Sequence, residues 1–334
     1  MELHGATAQY RHLIDEETKV GEARRQASVI AQVHGLDSIE VGRVAIATTE
    51  LATNLLRHGG GGELLLQAIT YADSTLIEVL AIDRGKGMAN VDLCMTDGFS
   101  TAGSAGAGLG AVRRLAQEFD VHSIAGEGTV VVARIGSDGR AAGRTDRRYG
   151  AVNVAIAGEV ECGDSWRLAM QEGTTSLMVA DGLGHGPLAA SAARSAVSQF
   201  EAAPFEPPTM LLERAHRATA GSRGAAAACA RISADGAVVY SGVGNICGCL
   251  VSPEKSQGMV SHGGTLGLRV VRMQQFEYQR KPDTLLVMHS DGLSARWDLK
   301  TRPGLLQRHP AIVAAILYRD FARGRDDSTV VVVR

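Results

Sequence analysis

Between Gly136 and Arg148 the chain reads Gly-Ser-Asp-Gly-Arg-Ala-Ala-Gly-Arg-Thr-Asp-Arg-Arg, with no apolar side chain larger than alanine. Such a stretch has no face to bury and no periodicity to fold on, so it reads as an exposed linker. It predicts two domains, residues 1–136 and 150–334, joined through 137–149. Each is long enough to enclose its own core. Other features change at the same place. All eight prolines lie from Pro187 onward. Residues 1–136 hold eleven Lys/Arg against seventeen Asp/Glu, and residues 151–334 hold nineteen against seventeen.

Composition narrows the class. With 45% hydrophobic and 21% charged residues, the chain is not disordered. A formal net charge of -2 gives no basic excess for nucleic acid. No apolar run approaches bilayer length and the first residues do not form a secretory signal, so no membrane association is expected. Cys94, Cys162, Cys229, Cys247 and Cys249 lack disulfide-framework spacing, and Cys247-Gly-Cys249 reads as small residues in a strand. A reducing, cytoplasmic setting is expected.

In the first half, helices are predicted over 17–33 and 38–58, the second opened by Asp37 and Glu40 as a capping box. Strands follow over 63–71 and 75–83, then a Gly/Ala/Ser-rich loop, a helix near 109–119, and a hairpin of 120–125 with 129–135. The second half reads as strands over 152–160, 166–171, 176–180, 226–233, 237–243, 247–251, 275–280, 284–289 and 328–333. Helices are expected near 187–199, 208–219 and 310–322. Many antiparallel strands with few helices predict a β-sandwich with helices outside.

Three segments of the first half belong together. Glu50 and Asn54 stand four apart on one helix and share a face, a pairing that suits a hydrated Mg²⁺. Ile82-Asp83-Arg84-Gly85-Lys86-Gly87 follows an apolar strand, and its glycines allow backbone to approach a planar ligand. Gly103-Ser-Ala-Gly106-Ala-Gly108-Leu109-Gly110 opens a helix and leaves amides free for phosphate. Singly, these are a solvated helix face, a turn and a flexible loop. In this order and spacing they resemble the GHKL ATPase/kinase superfamily with its Bergerat ATP-binding fold. Within it the compact domain, ending in Gly108-Leu-Gly-Ala-Val-Arg-Arg-Leu-Ala-Gln-Glu-Phe119, is similar to the RsbT-like anti-sigma-factor serine kinases. The resemblance implies that Asn54 binds Mg²⁺, Asp83 accepts from the adenine amino group, and Gly85 and Gly87 pass the base. It implies that Gly106, Gly108, Leu109 and Gly110 line the phosphates, residues 88–107 form a lid, and Thr129 lies near adenine. Glu50 would be the general base.

The second half carries four acidic landmarks: Cys162-Gly163-Asp164, Asp181-Gly182-Leu-Gly-His185-Gly186, Ser290-Asp291-Gly292 and Gly324-Arg325-Asp326-Asp327-Ser328. One Asp-Gly is usually a turn. Four at strand termini predict carboxylates converging at one edge, the shell that hard divalent cations take. The pattern resembles the PPM serine/threonine phosphatases in their SpoIIE/RsbX branch. The resemblance implies two Mn²⁺ or Mg²⁺ ions held by Asp164, Asp181, the Gly182 carbonyl, Asp291 and Asp326. It leaves a third metal, and the role of Asp327, open. His185 reads as a loop histidine beside the acids or a proton donor, and Trp166 and Trp297 read as core.

The fold class expected is therefore α+β: a Bergerat-type α/β sandwich followed by a PPM-type α-β-β-α sandwich. The function expected is a kinase joined to a phosphatase, both acting on STAS-domain anti-sigma antagonists or stressosome scaffold proteins. A sigma factor or a downstream phosphatase are further partners to consider, and relatives of the kinase half often pair as homodimers. The alternative is a phosphatase governed by a non-catalytic ATP-sensing or anti-sigma binding module. The linker favours simple tethering, with separable halves.

Overall fold

The computed structural model describes residues 1–5, 9–70, 75–95, 108–136, 148–270, 272–302 and 304–334. The chain forms two compact units, one of residues 7–147 and one of residues 1–6 with 148–334.

The strand β1 (Glu2–Gly5) comes first and belongs to the second of these units. The unit of 7–147 then runs β2 (Tyr10–Ile14), α1 (Glu17–Val33), α2 (Ser38–His58), β3 (Gly62–Thr70), β4 (Thr75–Ile82), α3 (Val91–Cys94), α4 (Gly108–Leu115), β5 (Glu118–Ile124) and β6 (Gly128–Gly136). Its strands form one antiparallel sheet in the order β2-β3-β4-β6-β5. Helix α2 starts where the sequence predicts: the Asp37 carboxylate accepts from Glu40 N–H at 2.8 Å, and Glu40 accepts from Asp37 N–H at 2.9 Å. A cap of this kind stabilises a helix by about 1 kcal/mol. Val44, Ala47, Leu51 and Leu55 follow at helical spacing and bury against Leu64, Leu66, Val79 and Ala81 of the sheet. That packing presents Glu50 and Asn54 away from the core on the same helix.

Strands β3, β4 and β6 are apolar along nearly their whole length, and both faces of each are buried. Across the face opposite the helices runs a polar ladder. Gln67 donates to Glu78 at 2.6 Å, and Arg134 donates to Glu78 at 2.8 Å and to Glu118 at 3.0 Å. These four residues sit opposite one another in register on β3, β4, β6 and β5. A guanidinium between two buried carboxylates satisfies both, and removing it would strand them.

The second unit continues with β7 (Tyr149–Val154), β8 (Asp164–Gln171), β9 (Thr174–Gly182), α5 (Pro187–Ala202), α6 (Pro208–Ala218), β10 (Ala225–Ile232), β11 (Ala237–Val243) and β12 (Cys247–Val251). It ends with β13 (Ser256–Gly258), β14 (Gly264–Thr265), β15 (Arg269–Val270), β16 (Phe276–Gln279), β17 (Leu285–His289), α7 (Pro310–Phe321) and β18 (Ser328–Val333). One large sheet has the order β1-β8-β9-β10-β11-β16 and the other β13-β12-β17-β18-β7, while β14 and β15 pair with each other apart from both. Alanine-rich α5 and α6 pack Ala193, Ala196, Phe200, Leu211 and Ala215 on Ala169, Met178, Ala180 and Ala227 of the first sheet. Helix α7 lies against β7 and β18 of the second. The result is the α-β-β-α layering expected from the sequence.

Several local readings differ, and the edge strand β2 (Tyr10–Ile14) was not anticipated. The strand expected over 152–160 ends at Val154, because the chain turns at Ile156, whose N–H is taken by the Asp327 carboxylate at 2.7 Å. The helix expected to Phe119 ends at Leu115, and Glu118 already pairs with Arg134 in the sheet. The strand β1 was not anticipated. It pairs antiparallel with β8, Glu2 opposite Met170 and Gly5 opposite Arg167. Arg148 donates to Glu2 at 2.9 Å, and the rings of His4 and Tyr149 stand 4.8 Å apart. A cut between 136 and 150 would therefore take β1 away from the sheet it completes. Among the described residues no helix is long and apolar enough to cross a membrane.

Candidate active sites

In the first unit, α2 and the start of α4 bring the sequence-predicted residues together. A Cβ placed on Gly108 would lie 3.5 Å from Asn54 Nδ2 and 3.6 Å from Glu50 Oε2. The first residue of α4 therefore stands at the tips of both side chains, and Gly110 is buried one residue beyond Leu109. Leu109 packs its side chain on the core cluster, so what it can offer a ligand is its backbone. Gly106 and most of the expected lid lie outside the described residues.

Asp83 leaves β4 at the same end of the sheet. Its Oδ1 accepts from Gly85 N–H at 2.8 Å and from Thr129 N–H at 3.0 Å. Thr129 Oγ1 meets Ser123 Oγ at 2.8 Å, and Ser123 Oγ accepts from Met88 N–H at 2.8 Å. Asp83, Thr129 and the turn after β4 thus form one fixed group. Gly87 has φ +64, and a Cβ there would fall 2.1 Å from the Ile124 carbonyl, so only glycine closes this turn on the β5–β6 hairpin. His58, at the end of α2, is pushed below its ordinary value by partial burial and then by Lys86 and Arg57. Asp83→Asn keeps an oxygen for the two amides but replaces an acceptor by a donor. Losing one hydrogen bond to a charged group costs roughly 1.5–3 kcal/mol, so ATP affinity is expected to fall about 10–100-fold. Calorimetric titration of the variant measures it, and unchanged affinity would remove Asp83 from adenine recognition.

In the second unit the acids meet at one edge of the sandwich. Asp164 opens β8 and is opposite Asp181 near the end of β9. Asp291 follows β17, and Asp326 and Asp327 precede β18. The segments are stitched together. Gly182 N–H donates to the Gly163 carbonyl at 3.1 Å. Ser290 Oγ donates to Asp164 Oδ2 at 2.6 Å and accepts from Thr329 N–H at 3.0 Å. Asn153 donates to Thr329 Oγ1 at 2.7 Å. Asn245 donates to Asp291 Oδ2 at 2.6 Å. His185 is turned outward, its Nδ1 2.7 Å from Glu159 Oε1. Trp166 is core, whereas Trp297 donates to Nε2 of buried His289 at 3.1 Å.

Electrostatics mark the place. Burial, opposed by the Ser290 and Thr329 hydroxyls, pushes Asp164 up to about 7. Burial and then the charges of Asp164, Asp291, Asp326 and Asp327 push Asp181 up to about 9. Among the described residues no group of three or more His, Cys, Asp or Glu stands close enough together to hold a metal ion as it is. Buried carboxylates that raise one another are what an all-oxygen divalent site looks like before its cation is counted, and the donor set fits Mg²⁺ or Mn²⁺. Both pKa values lie above the unfolded value of about 3.9. At these two sites the folded metal-free chain therefore holds more protons than the unfolded one, and their contribution to stability is lost as pH rises through about 7 to 9. The thermal midpoint of the chelated protein is expected to drop from pH 6 to pH 9, and to drop less in Asp181→Asn. A midpoint equally pH-dependent in that variant would deny the coupling.

The fold and the two sites define a GHKL-type ATPase unit joined to a PPM-type phosphatase unit. The profile of the histidine kinase-like ATPase domain matches residues 14–135, and that of stage II sporulation protein E (SpoIIE) matches residues 171–334. Serine/threonine-protein kinase RsbT of Bacillus subtilis (strain 168) is 35% identical over 111 residues, which is 33% of this chain and 84% of that protein. The chain belongs to the RsbT-type serine/threonine kinase family, with a SpoIIE-type phosphatase domain fused after it. A chain solved in work on the bacterial stressosome, as a modular system adapted to control secondary messenger signalling, is 28% identical with a TM-score of 0.52. The match spans 56% of this chain and 98% of that one. RsbX in complex with magnesium is 24% identical with a TM-score of 0.48, over 55% of this chain and 92% of that one. The chain is an enzyme carrying a protein serine/threonine kinase domain and a protein serine/threonine phosphatase domain, and a partner-switching regulator.

Proposed function

We propose that this one chain both phosphorylates and dephosphorylates serine or threonine on STAS-domain partners, the anti-sigma antagonists or stressosome scaffold proteins. The observation that carries the kinase reading is the meeting of Glu50, Asn54 and Gly108 at one point beside the fixed Asp83–Thr129 group. Asn54 would hold Mg²⁺, the amides from Gly108 to Gly110 would face phosphate, and Glu50 would accept the proton of the attacking protein hydroxyl. In the second unit Asp164, Asp181, Asp291, Asp326 and the Gly182 carbonyl would hold two Mn²⁺ or Mg²⁺ ions. Such ions supply a water acidified to near-neutral pKa and a clamp on phosphoryl oxygens. The residues' own part is to fix those oxygens: Ser290 and Thr329 orient Asp164, and Asn245 orients Asp291.

Incubation of the full chain with γ-labelled ATP and STAS proteins from its own genome is the test. Label should appear on a STAS serine or threonine with Mg²⁺, and leave it when Mn²⁺ is added after ATP is exhausted. Binding of ATP without transfer to any STAS protein would instead favour the nucleotide-sensing module.

A further inference from the structure

The segment from Ile156 to Gly163 is a closed loop on the rim of the phosphatase site, and one carboxylate fastens both its ends. Asp327 Oδ1 accepts from Ile156 N–H at 2.7 Å, and Asp327 Oδ2 accepts from Gly163 N–H at 2.7 Å. The bonded residues are 171 and 164 positions away in sequence. The Asp327 side chain is buried, at 2% exposure, whereas Val160 at the loop tip is 98% exposed. Gly163 is shaped to admit the carboxylate: a Cβ there would stand 2.6 Å from Asp327 Oδ2. The loop is held elsewhere by single bonds: the Gly163 carbonyl accepts from Gly182 N–H, Glu161 accepts from Arg194, and Glu159 pairs with His185. Among the described residues only Asp327 joins its two ends.

From this we infer that Asp327 is a positioning residue and not a metal ligand: it clasps loop 156–163 and so sets Asp164 and Asp326 relative to each other. Asp164 is the next residue after the clasped Gly163, and Asp326 is the residue before Asp327, whose N–H donates to Asp326 Oδ1 at 2.9 Å. A shift of Asp327 therefore moves a proposed ligand on each of two strands at once. Both its oxygens are already aimed at backbone amides, the bonding a carboxylate uses to fix a loop. Outer residues that orient ligands in this way typically cost about 10–100-fold in metal affinity or activity when removed. The inference rests on the metal-site reading proposed above for Asp164 and Asp326.

The test uses the full chain and Mn²⁺ alone as the probe. Asp327→Ala should weaken Mn²⁺ binding by about 10–100-fold in calorimetry with unchanged stoichiometry. Asp327→Asn, which keeps one acceptor, should fall between it and the wild type. Gly163→Ala, which displaces the carboxylate while leaving it in place chemically, should reproduce the Asn phenotype. Hydrogen exchange read in chelator supplies the measurement that metal loading cannot affect. The Ile156 and Gly163 amides should be protected in the wild type, both exchange rapidly in Asp327→Ala, and one of the two lose protection in Asp327→Asn. Loss of one bound Mn²⁺ per chain at saturation would make Asp327 a ligand and overturn the inference. So would unchanged exchange at both amides, or a Gly163→Ala protein that binds Mn²⁺ as the wild type does. Failure of Asp327→Ala to fold leaves Asp327→Asn and Gly163→Ala to decide. If Asp164→Ala and Asp326→Ala left Mn²⁺ binding intact, the metal-site reading itself would fail, separately from the clasp.

Discussion

Asp181→Ala is expected to leave no measurable metal-dependent phosphatase activity in the full chain, and Asp291→Ala the same. The loss should exceed the roughly 10–100-fold typical of an outer residue such as Asn245, because each change deletes a carboxylate at the centre of the rim. Asp181 is the most strongly raised acid of the group, pushed up by burial and by four neighbouring aspartates. Above about pH 9 its removal takes away repulsion along with function, so the thermal midpoint of the chelated protein at alkaline pH should not fall. The assay is release of phosphate from a phosphoserine peptide with added Mn²⁺ or in chelator. Chelator-resistant hydrolysis by the wild type would overturn the metal mechanism, and retained activity in Asp181→Ala would overturn its ligand role.

Glu50→Ala is the matching experiment on the first unit. The adenine group around Asp83 and Thr129 is untouched, so ATP should bind with near-normal affinity. Transfer to a STAS protein should fall about 10²–10⁴-fold, the usual contribution of a positioned general base. A variant that loses ATP binding as well would show Glu50 to be a nucleotide contact instead. A variant with full transfer would leave the proton to another acceptor.

The parts of this protein that were legible in its sequence are those whose chemistry is local. Asp37 and Glu40 announce α2 because the cap and its partner are three residues apart. Glu50 and Asn54 share a face by helical geometry alone. The Asp-Gly-Leu-Gly-His-Gly run marks a strand end because glycine and aspartate cluster there for turn reasons. What could not be read depends on distant chain segments meeting. Ser290, Thr329, Asn153 and Asn245 are ordinary polar residues until folding places each against an acid or against another of the set. The run from Val152 looks like one strand because Ala and Ile continue it, and the bond that ends it comes from Asp327, 171 residues on. Glu2–Gly5 has no periodicity, and its partner strand begins at Asp164. The linker reading treated the two halves as beads on a string. Instead, β1 pairs with β8, so residues 1–6 and 148–334 make up the phosphatase unit, interrupted by the kinase unit of residues 7–147.

That interruption has a consequence for how the chain is made. On the ribosome β1 is synthesised first and must wait for β8, whose first residue lies about 160 positions later. At roughly 5–20 residues per second the wait is on the order of ten to thirty seconds. The kinase unit, whose strands all pair within residues 10–136, is complete in the meantime. Its folding shortens the loop that β1 must close, because a compact unit replaces an unfolded chain of the same residues. A kinase unit that fails to fold thus hands the phosphatase a harder closure, and every ribosome that reaches β18 has already had time to build the opposing enzyme.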